Sequence, residues 1–265
     1  MKLFYRKYGS GPPLIILHAL YGSSDNWVQI AKSVSDHFTC YLPDLRNHGR
    51  SPHSSEHNYM VMSDDLGELA SELNLERFFL AGHSMGGKIA VHYSMRQPEK
   101  LGGLLVADIS PFVTESHNRA AHKQHSIILR TIIDTDLSRF SNRNEVESAL
   151  SESIESEKVR GFIMKNLQRS ADGTFAWRLN AGALLNNLSN IMEGIGRPDD
   201  DRYAVTGFPV LFLKGERSDY LPGSDLPDIQ KIFPAAELIS ISNAGHWIQA
   251  DRPDEVKAGL LRLLG

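Results

Sequence analysis

Short apolar runs recur along the chain at intervals that leave room for a helix between them. They are Leu14-Ile15-Ile16-Leu17, the weaker Cys40-Tyr41-Leu42, Phe78-Phe79-Leu80-Ala81, Leu104-Leu105-Val106-Ala107, Val210-Leu211-Phe212-Leu213 and Leu238-Ile239-Ser240-Ile241. The runs are continuous rather than alternating, the pattern of strands buried on both faces of a mainly parallel sheet. Between them apolar residues return at helical spacing, as in Met62-Leu66-Leu69-Leu73 and Ile89-Val91-Met95. Alternating strands and helices predict an α/β fold with a mostly parallel, doubly wound sheet.

The alternation stops between about Phe112 and Gly207. That stretch reads as helices only, with stripes at Ile128, Ile132 and Ile133, then Val146, Leu150 and Ile154, then Val159, Ile163 and Leu167. Stripes rather than all-round coverage mean that each helix buries one face. Polar breaks fall at Ala171-Asp172-Gly173 and from Gly194 to Asp201. The expected organisation is a core in two parts, residues 1–111 and 208–265, interrupted by a helical cap insertion over 112–207. At 265 residues the length suits one large domain carrying such an insertion.

Composition narrows the chemistry. With 41% hydrophobic and 23% charged residues the chain has ordinary globular usage, which excludes wholesale disorder. A net charge of −4 offers no basic footprint for nucleic acid. No run of about 18 apolar residues exists, so no membrane span is expected. Met1-Lys2-Leu3-Phe4-Tyr5-Arg6-Lys7 turns charged too soon for a secretory segment, and the expected location is cytoplasmic. The lone cysteine, Cys40, forms no internal disulfide or cysteine-based zinc site and reads as a small buried hydrophobe. His117, His122 and His125 invite a metal reading, but their spacing does not share one helix face and no carboxylate cluster accompanies them. No metal or cofactor is expected, and the partner is a small molecule. Monomer or homodimer is left undetermined.

One segment carries a nucleophile. Gly82-His83-Ser84-Met85-Gly86 fits GxSxG, which a chain of this glycine content meets by chance about one time in ten. Context adds the weight, because a strand-like run precedes it and a helical pattern follows. A serine on that sharp turn is strained, with its Oγ exposed at the N-terminus of a helix whose free N–H groups suit an oxyanion. Serine needs a base to take its proton and a carboxylate to orient that base. Among eleven histidines, His246 stands out because it follows the last strand, where the order Ser…Asp…His puts the base. Two carboxylates compete for the acid: Asp108 ends one strand, and Asp219 follows a later one. Spacing leaves both open. The oxyanion donors are expected to be the N–H of Met85 and the N–H of Leu20, in the loop His18-Ala19-Leu20-Tyr21-Gly22 after an earlier strand. His83 and His48 flank this face as structural residues or substrate contacts. Trp177 and Phe175 read as cap core, with the acyl pocket as their other open role.

These residues together resemble the α/β-hydrolase superfamily, and within it the small YbfF-type bacterial carboxylesterases. The likeness rests on His18-Ala19-Leu20-Tyr21-Gly22-Ser23, Asp25-Asn26-Trp27, Asp44-Leu45-Arg46-Asn47-His48-Gly49-Arg50-Ser51, Tyr59, Asp64-Asp65-Leu66, Gly82 to Lys88, Asp108-Ile109-Ser110-Pro111 and Gly245-His246-Trp247. It implies an α/β-hydrolase fold and hydrolysis of carboxylic esters, small or short in the acyl part, through an acyl-enzyme and without a cofactor. It also implies Asp108 as the acid, to be weighed against Asp219. Ala19 departs from the glycine usual in that family, so the oxyanion loop is expected to be tighter or differently bent. The same fold serves thioesterases, carbon–carbon hydrolases and slow-turnover receptor-like binding proteins, which stand as alternatives.

Overall fold

Every apolar run named above becomes a strand of one sheet. The computed structural model describes residues 1–113, 115–195 and 204–265, with the backbone alone at 115–117. In chain order the first part comprises β1 (Tyr5–Tyr8), β2 (Pro13–Leu17), α1 (Val28–Ser33), β3 (Thr39–Pro43), α2 (Tyr59–Glu72), β4 (Phe78–His83), α3 (Met85–Arg96) and β5 (Leu101–Ala107). The insertion follows with α4 (Glu115–Asp134), α5 (Arg143–Ser151), α6 (Glu157–Met164), β6 (Leu167–Arg169), β7 (Phe175–Trp177), α7 (Ala181–Asn186) and α8 (Leu188–Met192). The chain then re-enters the sheet with β8 (Val210–Gly215), α9 (Leu226–Ile232), β9 (Ala236–Ile241), α10 (Ile248–Asp251) and α11 (Pro253–Arg262).

The seven-stranded sheet has the order β1-β3-β2-β4-β5-β8-β9 and is parallel except for β1, which pairs antiparallel with β3. Alternate residues of the strands feed two cores. Ile15, Leu17, Leu80, Leu104 and Phe212 face the side occupied by α2, α3 and the insertion, while Leu14, Ile16, Ala81, Leu105 and Leu213 face α1 and α11. That two-sided burial is why the runs carry no polar alternation. The half-polar β1, Tyr5-Arg6-Lys7-Tyr8, lacks this mark because it is an edge strand.

The insertion departs from the all-helical expectation. Leu167–Arg169 and Phe175–Trp177 pair as a two-stranded antiparallel hairpin. Its turn holds the break Ala171-Asp172-Gly173, with Gly173 at φ 89° and the Asp172 carboxylate accepting from the Thr174 N–H at 3.0 Å. Strands of three residues are too short to show a period of two, so the sequence blends them into the flanking helices. Leu167 therefore belongs to β6, and Ile154 lies beyond the end of α5. Ile133 is 48% exposed and Met95 38% exposed, whereas Leu129 is buried on the core-facing stripe of α4. The break from Gly194 begins with a close approach: the Ile195 N–H donates to the Pro111 carbonyl at 2.9 Å, so the two stems of the insertion meet. Residues 196–201 of that break lie outside the described residues. Across the insertion the sheet is uninterrupted, with Leu104 paired to Val210.

Two glycines test how tightly the sheet and α3 are fitted. A Cβ on Gly82 would lie 2.2 Å from the Gly86 carbonyl oxygen, which is backbone and cannot step aside. Gly82→Ala should lower stability by about 1–3 kcal/mol or more in urea denaturation. Gly161, inside α6 with nothing within 4 Å of an added Cβ, is the control. Gly161→Ala should raise stability by about 0.5–1 kcal/mol.

Candidate active site

Ser84 occupies the one-residue junction between β4 and α3 at φ 52°, ψ −118°, a conformation that costs a non-glycine residue strain. Glycines make the junction possible. Gly82 passes against the Gly86 backbone, and a Cβ on Gly86 would lie 2.5 Å from the Leu17 carbonyl oxygen. Met85 opens α3, so its N–H is one of the first-turn donors that no helical carbonyl can reach.

Asp108 directly follows β5 in a left-handed conformation, φ 50°, and is fully buried. One carboxylate oxygen accepts the Gly215 N–H at 2.7 Å. The other accepts a short hydrogen bond from the Ser218 hydroxyl and one from His246 Nδ1 at 2.8 Å. A buried carboxylate needs such saturation, because unpaired it would be very costly. The His246 ring is also stacked on Tyr220, with ring centroids 3.9 Å apart and 25° between planes. Its main chain is held as well: His83 Nε2 lies 2.7 Å from the His246 carbonyl, and Gln249 reaches His83 Nδ1 at 3.4 Å. Burial keeps the His83 imidazole pKa well below its usual range, so the ring is neutral. Asp219 is exposed and lies outside this hydrogen-bond set. The structure therefore brings Asp108, not Asp219, to His246.

Ser84, His246, Leu20 and Met85 all line one cavity of about 380 Å³. Among the described residues no group accepts from the Leu20 N–H. The loop that carries it is closed by the Gly22 N–H to the Ala19 carbonyl at 2.9 Å. Its left-handed residue is Tyr21, at φ 63°, not Ala19. Alanine therefore fits at the first position of this turn, and the left-handed bend is taken two positions later.

The insertion supplies much of the cavity wall, including His125 and Ile128 from α4, Phe162 from α6, and Ile191 and Met192 at the end of α8. Phe175 and Trp177 pack within the insertion instead and do not line it. Three consecutive carbonyls at the end of α8 are gripped from the core. The Tyr59 hydroxyl donates to Ile191 at 2.6 Å, and Lys88 Nζ donates to Met192 at 3.4 Å and Glu193 at 2.5 Å. Burial pulls the Lys88 ammonium pKa down to about 8. His48 and His18 are structural: His48 Nδ1 lies 2.8 Å from the Arg46 carbonyl, and His18 Nε2 accepts from the Leu45 N–H at 2.9 Å. Cys40 is fully buried, and desolvation pushes its thiol pKa up to about 12.

Among the described residues no group of three or more His, Cys, Asp or Glu could hold a metal ion, and the His117 side chain lies outside them. His125 is bonded to Tyr21 rather than grouped with His122. No helix among the described residues is long and apolar enough to cross a membrane. Ser218 and Tyr220 go unnamed in the sequence reading, Tyr21 figures there only as part of the oxyanion loop, and His125 only as a rejected metal ligand. Ser218 and Tyr220 flank Asp219, and a hydroxyl beside a carboxylate carries no signal of its own in the sequence.

The chain belongs to the α/β-hydrolase family, whose model, described as the alpha/beta hydrolase fold, matches residues 12–253. A solved structure named marine microorganism esterase superposes with a TM-score of 0.91 at 44% identity, covering 99% of each chain. The sn-1-specific diacylglycerol lipase ABHD11 of Danio rerio is 36% identical over 97% of this chain and 79% of its own length. Esterase YbfF of Escherichia coli is 29% identical over 95% of this chain and 92% of its own.

Replacing each carboxylate separates their roles. Asp108→Asn should lower kcat by about 10³–10⁴, since the amide no longer holds the needed imidazole tautomer. Asp219→Asn should leave kcat within about twofold. A large loss confined to Asp219→Asn would overturn the assignment.

Proposed function

We propose that the chain is a carboxylic ester hydrolase acting through an acyl-enzyme on Ser84. The observation that carries the reading is the convergence on one cavity of a strained serine at a helix N-terminus and a histidine bonded to a buried aspartate. His246 takes the Ser84 proton as Oγ attacks the ester carbonyl, and Asp108 fixes the imidazole so that its other nitrogen serves as the base. The Leu20 and Met85 N–H groups stabilise the tetrahedral oxyanion. His246 returns the proton to the leaving alcohol, and water then repeats the cycle on the acyl-serine.

The cavity is at the small end of the range for ligand sites, and its wall is mainly apolar, with Ile109, Phe112, Ile128, Val159 and Met192 among the lining residues. This favours esters with a small or short acyl group. The names carried by the marine esterase, the zebrafish lipase and the E. coli esterase all denote ester cleavage, which supports the same reading.

Wild-type protein should turn over p-nitrophenyl acetate and butyrate in the steady state, with kcat/KM falling for longer acyl chains. A matched thioester in the same panel reads whether the preference extends beyond oxygen esters. Ser84→Ala should lose at least about 10³ in kcat and all labelling by a fluorophosphonate probe. A single acylation burst with no further turnover would replace the esterase reading with that of a receptor-like binding protein.

A further inference from the structure

Tyr21 is the residue at which the insertion grips the oxyanion loop. It is buried, and it holds φ 63°, which a tyrosine keeps only when its surroundings over-determine it. It is the second central residue of the turn closed by Gly22 N–H and the Ala19 carbonyl, a place that favours glycine when φ is positive. All three of its polar groups are bonded. The N–H donates to His48 Nε2 at 3.3 Å, within the core. The carbonyl accepts from Asn166 Nδ2 at 2.7 Å, and the hydroxyl hydrogen-bonds His125 Nδ1 at 2.9 Å. Both latter partners belong to the insertion.

Neither partner is loosely placed. Asn166 is buried just after α6; its N–H donates to the Ile163 carbonyl at 2.9 Å, and its own carbonyl accepts from the Arg178 N–H at 2.9 Å. His125 sits on α4 with its ring packed against Tyr21, centroids 5.6 Å apart. Burial pulls its imidazole pKa down to about 4, so it bonds the hydroxyl as a neutral ring. Loss of these holds would let Tyr21 relax to negative φ. That would swing the turn whose first central residue is Leu20.

We propose that Asn166 and His125 are positioning residues of the oxyanion hole, holding Tyr21 left-handed and thereby keeping the Leu20 N–H aimed at the reacting carbonyl. This rests on the reading of Leu20 as an oxyanion donor. The insertion then does more than roof the cavity. Its seating completes the charge-stabilising half of the site, and an unseated cap leaves Ser84, His246 and Asp108 intact but the oxyanion half-supported.

Asn166→Asp keeps the side-chain shape but turns the donor into an acceptor facing the Tyr21 carbonyl. Tyr21→Phe removes one oxygen and keeps the ring, so it decides the matter even if Asn166→Asp fails to fold. Each variant should lower kcat on p-nitrophenyl butyrate about tenfold or more, short of the roughly 10²–10³ lost with an entire donor. KM should stay within about twofold. The Ki of an alkyl trifluoromethyl ketone, whose adduct with Ser84 carries an oxyanion, should rise by the factor by which kcat/KM falls. Binding of a non-reactive ether analogue should be unchanged. A raised KM at constant kcat, or an unchanged trifluoromethyl ketone Ki, would overturn the proposal and leave these contacts as packing between the insertion and the core. Failure of the underlying esterase reading looks different: wild-type protein would neither turn over the ester nor take the fluorophosphonate on Ser84.

Discussion

A carboxylate removed from water must have its charge met on every side, and Asp108 shows how much structure that demand recruits. It directly follows β5, takes the backbone N–H of Gly215 at the end of β8 and the hydroxyl of Ser218 in the next loop, and holds His246 from the loop after β9. Three strand ends are thus tied to one side chain. The arrangement fixes the proposed base relative to the proposed nucleophile, because β4, which carries Ser84, is the strand next to β5. Tyr220 stacked over the imidazole and His83 beneath its carbonyl remove the remaining freedom. The site is stiff because the sheet is.

Much of this is legible in the sequence alone. Strands with two buried faces announce themselves as unbroken apolar runs, and Ser84 and His246 sit where those runs end. Spacing alone leaves the acid open, and only the family resemblance points to Asp108, for a physical reason. Asp108 and Asp219 follow adjacent strands, β5 and β8, so chain order and strand position treat them alike. What separates them is burial, which depends on how the β8–α9 loop folds back: it turns Ser218 inward and Asp219 outward. The edge strand β1 and the hairpin β6–β7 were hidden because one is half-polar and the other too short for a period to register. Tyr21 escaped notice because a positive φ at tyrosine leaves no mark in composition or spacing.

The insertion shapes the proposed site from two directions. Near the oxyanion loop it reaches down through Asn166 and His125 to Tyr21. On the far side the core reaches up, with Tyr59 and Lys88 holding the carbonyls at the end of α8. Lys88 lies one helical turn beyond Ser84 on α3, so the helix that presents the serine also anchors the last wall of the cavity. A buried ammonium at a helix C-terminus meets a negative dipole end, which offsets part of the cost of burying it. Cavity shape and serine placement thereby share one rigid element.

The pairing of β5 directly with β8 has a temporal consequence. About a hundred residues separate strands that lie side by side, so their contact closes a very long loop and belongs to the slow class of folding events. A chain still being synthesised, with only its first 195 residues emerged, already contains Ser84, Leu20 and Asp108. It lacks Gly215, Ser218 and His246, and Asp108 is then a carboxylate without its satisfying partners. On the proposed mechanism, reactivity at Ser84 arises only once the segment carrying Gly215, Ser218 and His246 has docked.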